Sequence, residues 1–140
     1  MPSFEFASIY RAGDVVPQDR GRGVRSWPLV TPETGSNQML AGFTEIPVAG
    51  EIPLHTHSSE EFILVVEGSA MVRVGGLEEP VQAGDATHVQ PDVVHQFVNT
   101  GTTPLRILWV YGAADTTRTL VETGETLGHL DPYPSDRASS

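Results

Sequence analysis

Residues 54–68, "LHTHSSEEFILVVEG", set two histidines one residue apart, then two carboxylates, then an unbroken apolar run. In an extended chain, residues two apart face the same way, so His55 and His57 share a side with Glu61, Ile63 and Val65. Glu60 faces away. If Ser58 and Ser59 do not reset the register, two imidazoles and one carboxylate converge above an apolar floor. The stretch reads as an inner face that begins polar, passes a loop at Ser58 and Ser59, and ends dry in a strand.

The same period of two recurs outward from it. Strands are expected at residues 39–46, 61–67, 70–74, 81–82, 87–89, 95–99 and 105–111. They are separated by "PVAGEIP", "EGS", "GGLEE", "AGD", "QPDVV" and "NTGTTP", and the chain carries fourteen Gly and eleven Pro in all. Short strands joined by such turns indicate an all-β antiparallel sandwich or barrel. At 140 residues one domain is expected. It divides into an N-terminal arm (residues 1–37, with short strands near 24–27 and 29–31), a barrel core (38–114), and a C-terminal strand (117–121) and tail within 115–140, with the last ten residues mobile. Arg11, Arg20, Arg22 and Arg25 concentrate half of the positive charge in the arm, where the reading is a solvated face.

Eighteen acidic residues stand against eight basic ones, all Arg, for a net charge of −10. Such a field repels a phosphate backbone, so no nucleic-acid partner is expected. There is no Cys, which removes disulfides, a thiol nucleophile and thiolate metal ligands. "MPSFEFASIY" has no basic region followed by an apolar stretch, and the longest purely apolar run covers only residues 62–66. A soluble, cytoplasmic protein without a membrane span is therefore expected. The absence of G-x-S-x-G, H-E-x-x-H and a phosphate-cradling glycine loop removes the serine hydrolase, zincin and nucleotide-enzyme readings.

A third imidazole comes from "GDATHVQPDVVHQFVN", where His95 opens a separate strand. Three imidazoles and a carboxylate leave open positions on one divalent ion, and Fe2+, Mn2+, Ni2+ and Zn2+ are all admissible. The alternative is that each His is separately hydrogen-bonded in the core. His88 and Tyr111 are the candidate acid or base groups, although a lone His such as His88 also suits hydrogen-bonded structure. In "LRILWVYG" the side chains of Leu105, Ile107, Trp109 and Tyr111 share a face. Trp109 and Tyr111 can wall a substrate pocket or simply fill a core. Phe97, of the same parity as His95, and Phe43 are further pocket candidates. His129 lies in the tail with no pattern around it.

The chain resembles the cupins in two motifs. The first, H-x-H, three or four residues, Glu, six residues, Gly, is met by His55, His57, Glu61 and Gly68, with Gly50 near the leading Gly position. The second is met by Gly84, His95 and Asn99, while Gln90 stands where Pro is usual and Asp92 where Gly is usual. Asp tolerates turn conformations that most residues resist. The resemblance covers about residues 39–111. It implies a cupin-type antiparallel β-barrel, a double-stranded β-helix or jelly roll, with His55, His57, Glu61 and His95 as ligands of one divalent metal ion per chain.

It further implies a small oxygen-rich organic molecule as substrate, with dioxygenase chemistry preferred. The alternatives are a redox-inert lyase, isomerase or decarboxylase, or a non-catalytic small-molecule-binding module. A sugar-nucleotide epimerase of the related barrel type fits less well, since those sites use a His and Tyr pair without needing a full metal set. Small cupins commonly pair, and the outward run Phe62, Leu64 and Val66 needs a cover, so a homodimer is expected.

Overall fold

Alternation of buried and exposed side chains along short segments is the dominant local pattern, and the computed structural model describes residues 7–132. Twelve strands follow in chain order. They are β1 (Gln18–Gly21), β2 (Val24–Val30), β3 (Leu40–Ile46), β4 (His55–His57), β5 (Glu61–Glu67), β6 (Ser69–Val74), β7 (Leu77–Gln82), β8 (Ala86–Val89), β9 (His95–Asn99), β10 (Leu105–Tyr111), β11 (Thr117–Leu120) and β12 (Thr126–Gly128). No α-helix occurs among the described residues. None of their helices is long and apolar enough to cross a membrane.

The strands form two six-stranded antiparallel sheets, ordered β1-β2-β3-β10-β5-β8 and β12-β11-β4-β9-β6-β7. This is the expected all-β jelly roll, but the sheets face each other and do not close into one hydrogen-bonded barrel among the described residues. Between them lies a core of Leu40, Ile46, Ile63, Val65, Ala70, Val72, Phe97, Leu105, Ile107, Trp109 and Tyr111. These are the inward positions of period-two strands, so burial and strand propensity agree.

Registry turns this pattern into a site. Tyr111 pairs with Glu61 and Trp109 with Ile63 across β10 and β5. In the facing sheet His55 pairs with His95, and His57 pairs with Arg118. Two turn features hold the registry. Asp92 adopts φ 65°, so Asp takes the left-handed conformation at the usual Gly position. Asn99 bonds through its amide nitrogen to the carbonyls of Ile46, Pro47 and Thr103 and accepts from the Gly101 N–H.

Four strands differ from the sequence reading. The pieces at 24–27 and 29–31 are one strand, β2, and β1 and β12 were not anticipated, because "QDRG" and "TLG" carry no apolar alternation. β7 begins at Leu77, inside the expected turn "GGLEE". Arg20 is no part of a solvated face. It is 2% exposed and donates to Ser26 Oγ at 2.9 Å, because β1 pairs with β2 and turns this side chain inward. Arg11, Arg22 and Arg25 are exposed. The mobile end expected over 131–140 lies, from residue 133 onward, outside the described residues.

Candidate metal centre

β4 and the start of β9 are adjacent strands of one sheet, while β5 starts in the facing sheet, so four polar side chains project into the same end of the core. His55, His57, Glu61 and His95 are all buried, and one donor atom from each lies within 4.8 Å of the others. His55 Nε2 is 3.0 Å from His57 Nε2, His57 Nε2 is 3.1 Å from Glu61 Oε2, and His95 Nε2 is 3.2 Å from Glu61 Oε1. Glu60, of opposite parity, is exposed.

The outer ring nitrogens fix what the inner ones offer. Nδ1 of His55 meets Pro53 O at 2.6 Å, Nδ1 of His57 meets Thr117 O at 3.2 Å, and Nδ1 of His95 meets Val93 O at 2.7 Å. A carbonyl only accepts, so each Nδ1 carries a proton, and any of these rings in its neutral form turns an Nε2 lone pair into the cluster. Converging lone pairs beside a carboxylate repel unless a cation or proton joins them. Backbone carbonyls on the far nitrogen are also the usual means of orienting a metal-binding imidazole. The donor set therefore fits one divalent ion, with nitrogen and oxygen ligands only.

Electrostatics agree. Burial, with His95 and His57 close by, lowers the His55 pKa to about 3 and keeps the ring neutral. Burial alone pushes the Glu61 carboxyl up, but hydrogen bonds and charge from His57 and His95 outweigh it and hold it well below its ordinary value. For His95, burial pulls downward and the Glu61 carboxylate, with the Val93 carbonyl, more than compensates, so its pKa is raised. Proton and metal compete for the same atoms.

The four donors themselves line a cavity of about 20 Å³, walled also by Ile52, Ile63, Phe97, Ile107, Trp109 and Tyr111 among others. That is room for about one water-sized group. Tyr111 donates to Glu61 Oε2 at 2.8 Å and lies 3.2 Å from His57 Nε2. Trp109 Nε1 donates to Thr44 Oγ1 at 2.8 Å, which fixes the indole across the cavity. Gly42 makes space for it: a Cβ there would lie 2.5 Å from the Trp27 carbonyl oxygen and 2.7 Å from the indole.

Of the candidates from sequence, the structure thus gathers His55, His57, Glu61, His95, Phe97, Trp109 and Tyr111 in one place. Phe43 and His88 stand elsewhere. Phe43 faces outward beneath the Arg106 guanidinium, 4.7 Å from the ring centroid, because its parity in β3 is opposite to that of Thr44. His88 pairs with Glu60 at 2.8 Å, both side chains more than half exposed. Conversely, Arg20, Arg118 and His129 line the cavity although no motif marked them. The 117–121 strand signal was available for Arg118. His129 had none, and its place in the tail was misleading: it is 8% exposed, and burial, with Arg20 nearby, holds its pKa well below the ordinary value.

A cupin-domain family profile matches residues 42–111. The chain belongs to the cupin family. This cupin is 30% identical to Protein SchB of Streptomyces halstedii over 130 residues, 91% of this chain and 89% of that one. It is 27% identical to the tetracenomycin polyketide synthase protein TcmJ of Streptomyces glaucescens, over 86% of this chain and 76% of that one. Among solved structures, the polyketide cyclase RemF from Streptomyces resistomycificus superposes with a TM-score of 0.70 at 21% identity, covering 93% of this chain and 92% of that one. At that identity the likeness bears on the fold.

Proposed function

We propose that this cupin is a metal-dependent enzyme acting on a polycarbonyl small molecule of the polyketide type, by polarising a carbonyl oxygen for ring closure with loss of water. The observation that carries the metal is the convergence of three Nε2 lone pairs and the Glu61 carboxylate, each imidazole oriented by a main-chain carbonyl. The substrate class is supported by the likeness to TcmJ, a polyketide synthase protein by its name. A divalent ion held here supplies Lewis acidity.

The chain does the rest. His55, His57 and His95 present ring nitrogens, and Glu61 lowers the net charge of the site. Tyr111 anchors Glu61 through its hydroxyl and lies close enough to the cavity to pass a proton. Ile63, Phe97, Ile107 and Trp109 exclude water and strengthen every charge interaction inside. The exposed apolar Phe62 and Val66, 42% and 36% accessible, mark the face through which a homodimer would form.

Dioxygenase chemistry is the second reading. Its support is the same nitrogen-rich set beside a dry apolar cavity, which suits iron(II). One experiment separates the two: incubate the zinc- and iron(II)-loaded proteins with a synthetic 1-aryl-1,3,5-triketone, with and without dioxygen, and follow products by mass spectrometry. Loss of one water, independent of dioxygen, supports the cyclase. Gain of two oxygen atoms with consumption of dioxygen, by the iron form alone, replaces it with the dioxygenase. No turnover by either form leaves a binding module and refutes both enzyme readings.

A further inference from the structure

His129 follows β12 directly and is held by its backbone. Its carbonyl oxygen accepts from the guanidinium groups of Arg20 and Arg118, its N–H donates to Thr116 O at 3.3 Å, and Arg118 also bonds the Asp131 carbonyl. The two arginines are 2% and 1% exposed. Such anchoring fixes where the imidazole goes. Its ring centroid lies 4.3 Å from Tyr111, 4.6 Å from Trp109 and 5.4 Å from His57, so it forms part of the wall of the metal-site cavity.

Both ring nitrogens of His129 are buried without a hydrogen-bond partner, a standing cost that folded proteins rarely tolerate without reason. His129 is also outside the group of four donors that lie within 4.8 Å of one another. It therefore faces the same small space as those donors without belonging to them. A neutral imidazole offers one N–H and one lone pair, and the remaining cavity wall is chiefly apolar and aromatic.

Resting on the metal-centre reading above, we propose that His129 is a ligand-positioning residue, whose ring N–H donates to the anionic or carbonyl atom that enters the cavity toward His55, His57, Glu61 and His95. Arg20 and Arg118 place that donor by gripping the main chain. The class of ligand is a small anion, or the carbonyl or enolate oxygen of a larger molecule. His129 then selects for an acceptor atom in the cavity and against a purely apolar group.

The test uses the full chain loaded with cobalt(II) and titrated with azide, a compact anionic acceptor, followed by visible absorption. His129→Phe keeps an aromatic ring against Tyr111 and Trp109 while deleting both nitrogens. It is expected to retain cobalt and to bind azide roughly tenfold more weakly, as loss of one hydrogen bond implies. His129→Gln, with an amide donor, is expected to recover most of that affinity. Equal azide affinity in wild type and His129→Phe overturns the proposal, and so does loss of cobalt from His129→Phe, which makes the ring a metal ligand instead. Were the phenylalanine variant insoluble, His129→Leu against His129→Gln supplies the same contrast. A wild type that holds cobalt but shows no response to azide contradicts the open metal site itself, and this inference falls with it.

Discussion

Replacing Tyr111 by Phe removes one oxygen atom and nothing else. The hydroxyl donates to Glu61 Oε2 at 2.8 Å, and both residues are almost wholly buried. A hydrogen bond to an ionised group is worth about 1.5–3 kcal/mol. His57 and His95 still face the carboxylate, at 3.1 and 3.2 Å, so the loss for the metal-free protein should be near the middle, about 2 kcal/mol, or roughly 6–8 °C in Tm for a domain of this size. The ring stays packed against Trp109 and His129, so no cavity adds to the effect. Hydroxyl loss also frees Glu61 to reorient, and outer hydrogen bonds of this kind are worth about 10- to 100-fold in metal affinity. Zinc should consequently stabilise the variant less than wild type, by about 1.4–2.7 kcal/mol at the same free concentration. Thermal melts in chelator and in buffered zinc measure both quantities. An unchanged Tm in chelator refutes the hydrogen bond, and an unchanged increment on adding zinc refutes its role in holding Glu61 for the metal.

Further outcomes are expected at other points of the fold. Gly42→Ala should destabilise by about 1–3 kcal/mol in urea unfolding, because the added Cβ meets the Trp27 carbonyl oxygen at 2.5 Å and pushes on the Trp109 indole; no loss would mean that β3 yields easily. Asn99→Ala should cost about 2–3 kcal/mol, measured the same way, since its amide ties three carbonyls together. In metal-free protein, stability should fall as pH drops from about 6.5 to 5. His55, with a pKa of about 3, and His129, also lowered, stay unprotonated in the folded chain while their unfolded counterparts take up protons. The His55 ring alone removes about 2 kcal/mol over that window and His129 acts in the same direction, whereas His95, raised, opposes them in part, because its folded form already holds the proton that the unfolded chain takes up as pH falls. A flat urea midpoint between these pH values would show that the two rings are not held neutral.

In "LHTHSSEEFILVVEG" parity holds within each strand, since a one-residue slip in β5 would expose Ile63 and Val65, but the turn at Ser58 and Ser59 carries the chain from one sheet to the other, so His55 and His57 meet Glu61 across the two facing sheets. Strands bounded by Gly or Pro turns, such as β9 and β10, were legible for the same reason. What escaped is what no short-range pattern encodes. Arg20 is a charged residue in a polar "QDRG" stretch, and only pairing of β1 with β2 turns it inward. His129 reaches the cavity because β12 pairs with β11 and two distant arginines grip its carbonyl, contacts spanning 109 and 11 residues along the chain. Phe43 does wall a pocket, with Trp27, Leu29 and Arg106, but its parity puts that pocket away from the metal ligands. His88 had the chemistry of a catalytic base, but β8 is an edge strand of its sheet and leaves it in solvent.

The central claim is that four side chains from β4, β5 and β9 hold one divalent ion. Elemental mass spectrometry on purified wild type, His57→Ala and His88→Ala measures it directly. About one equivalent of a single divalent metal is predicted in wild type and in His88→Ala, with His57→Ala nearly empty. Equal metal in wild type and His57→Ala, or a wild type that stays empty after dialysis against each candidate ion, would contradict the account.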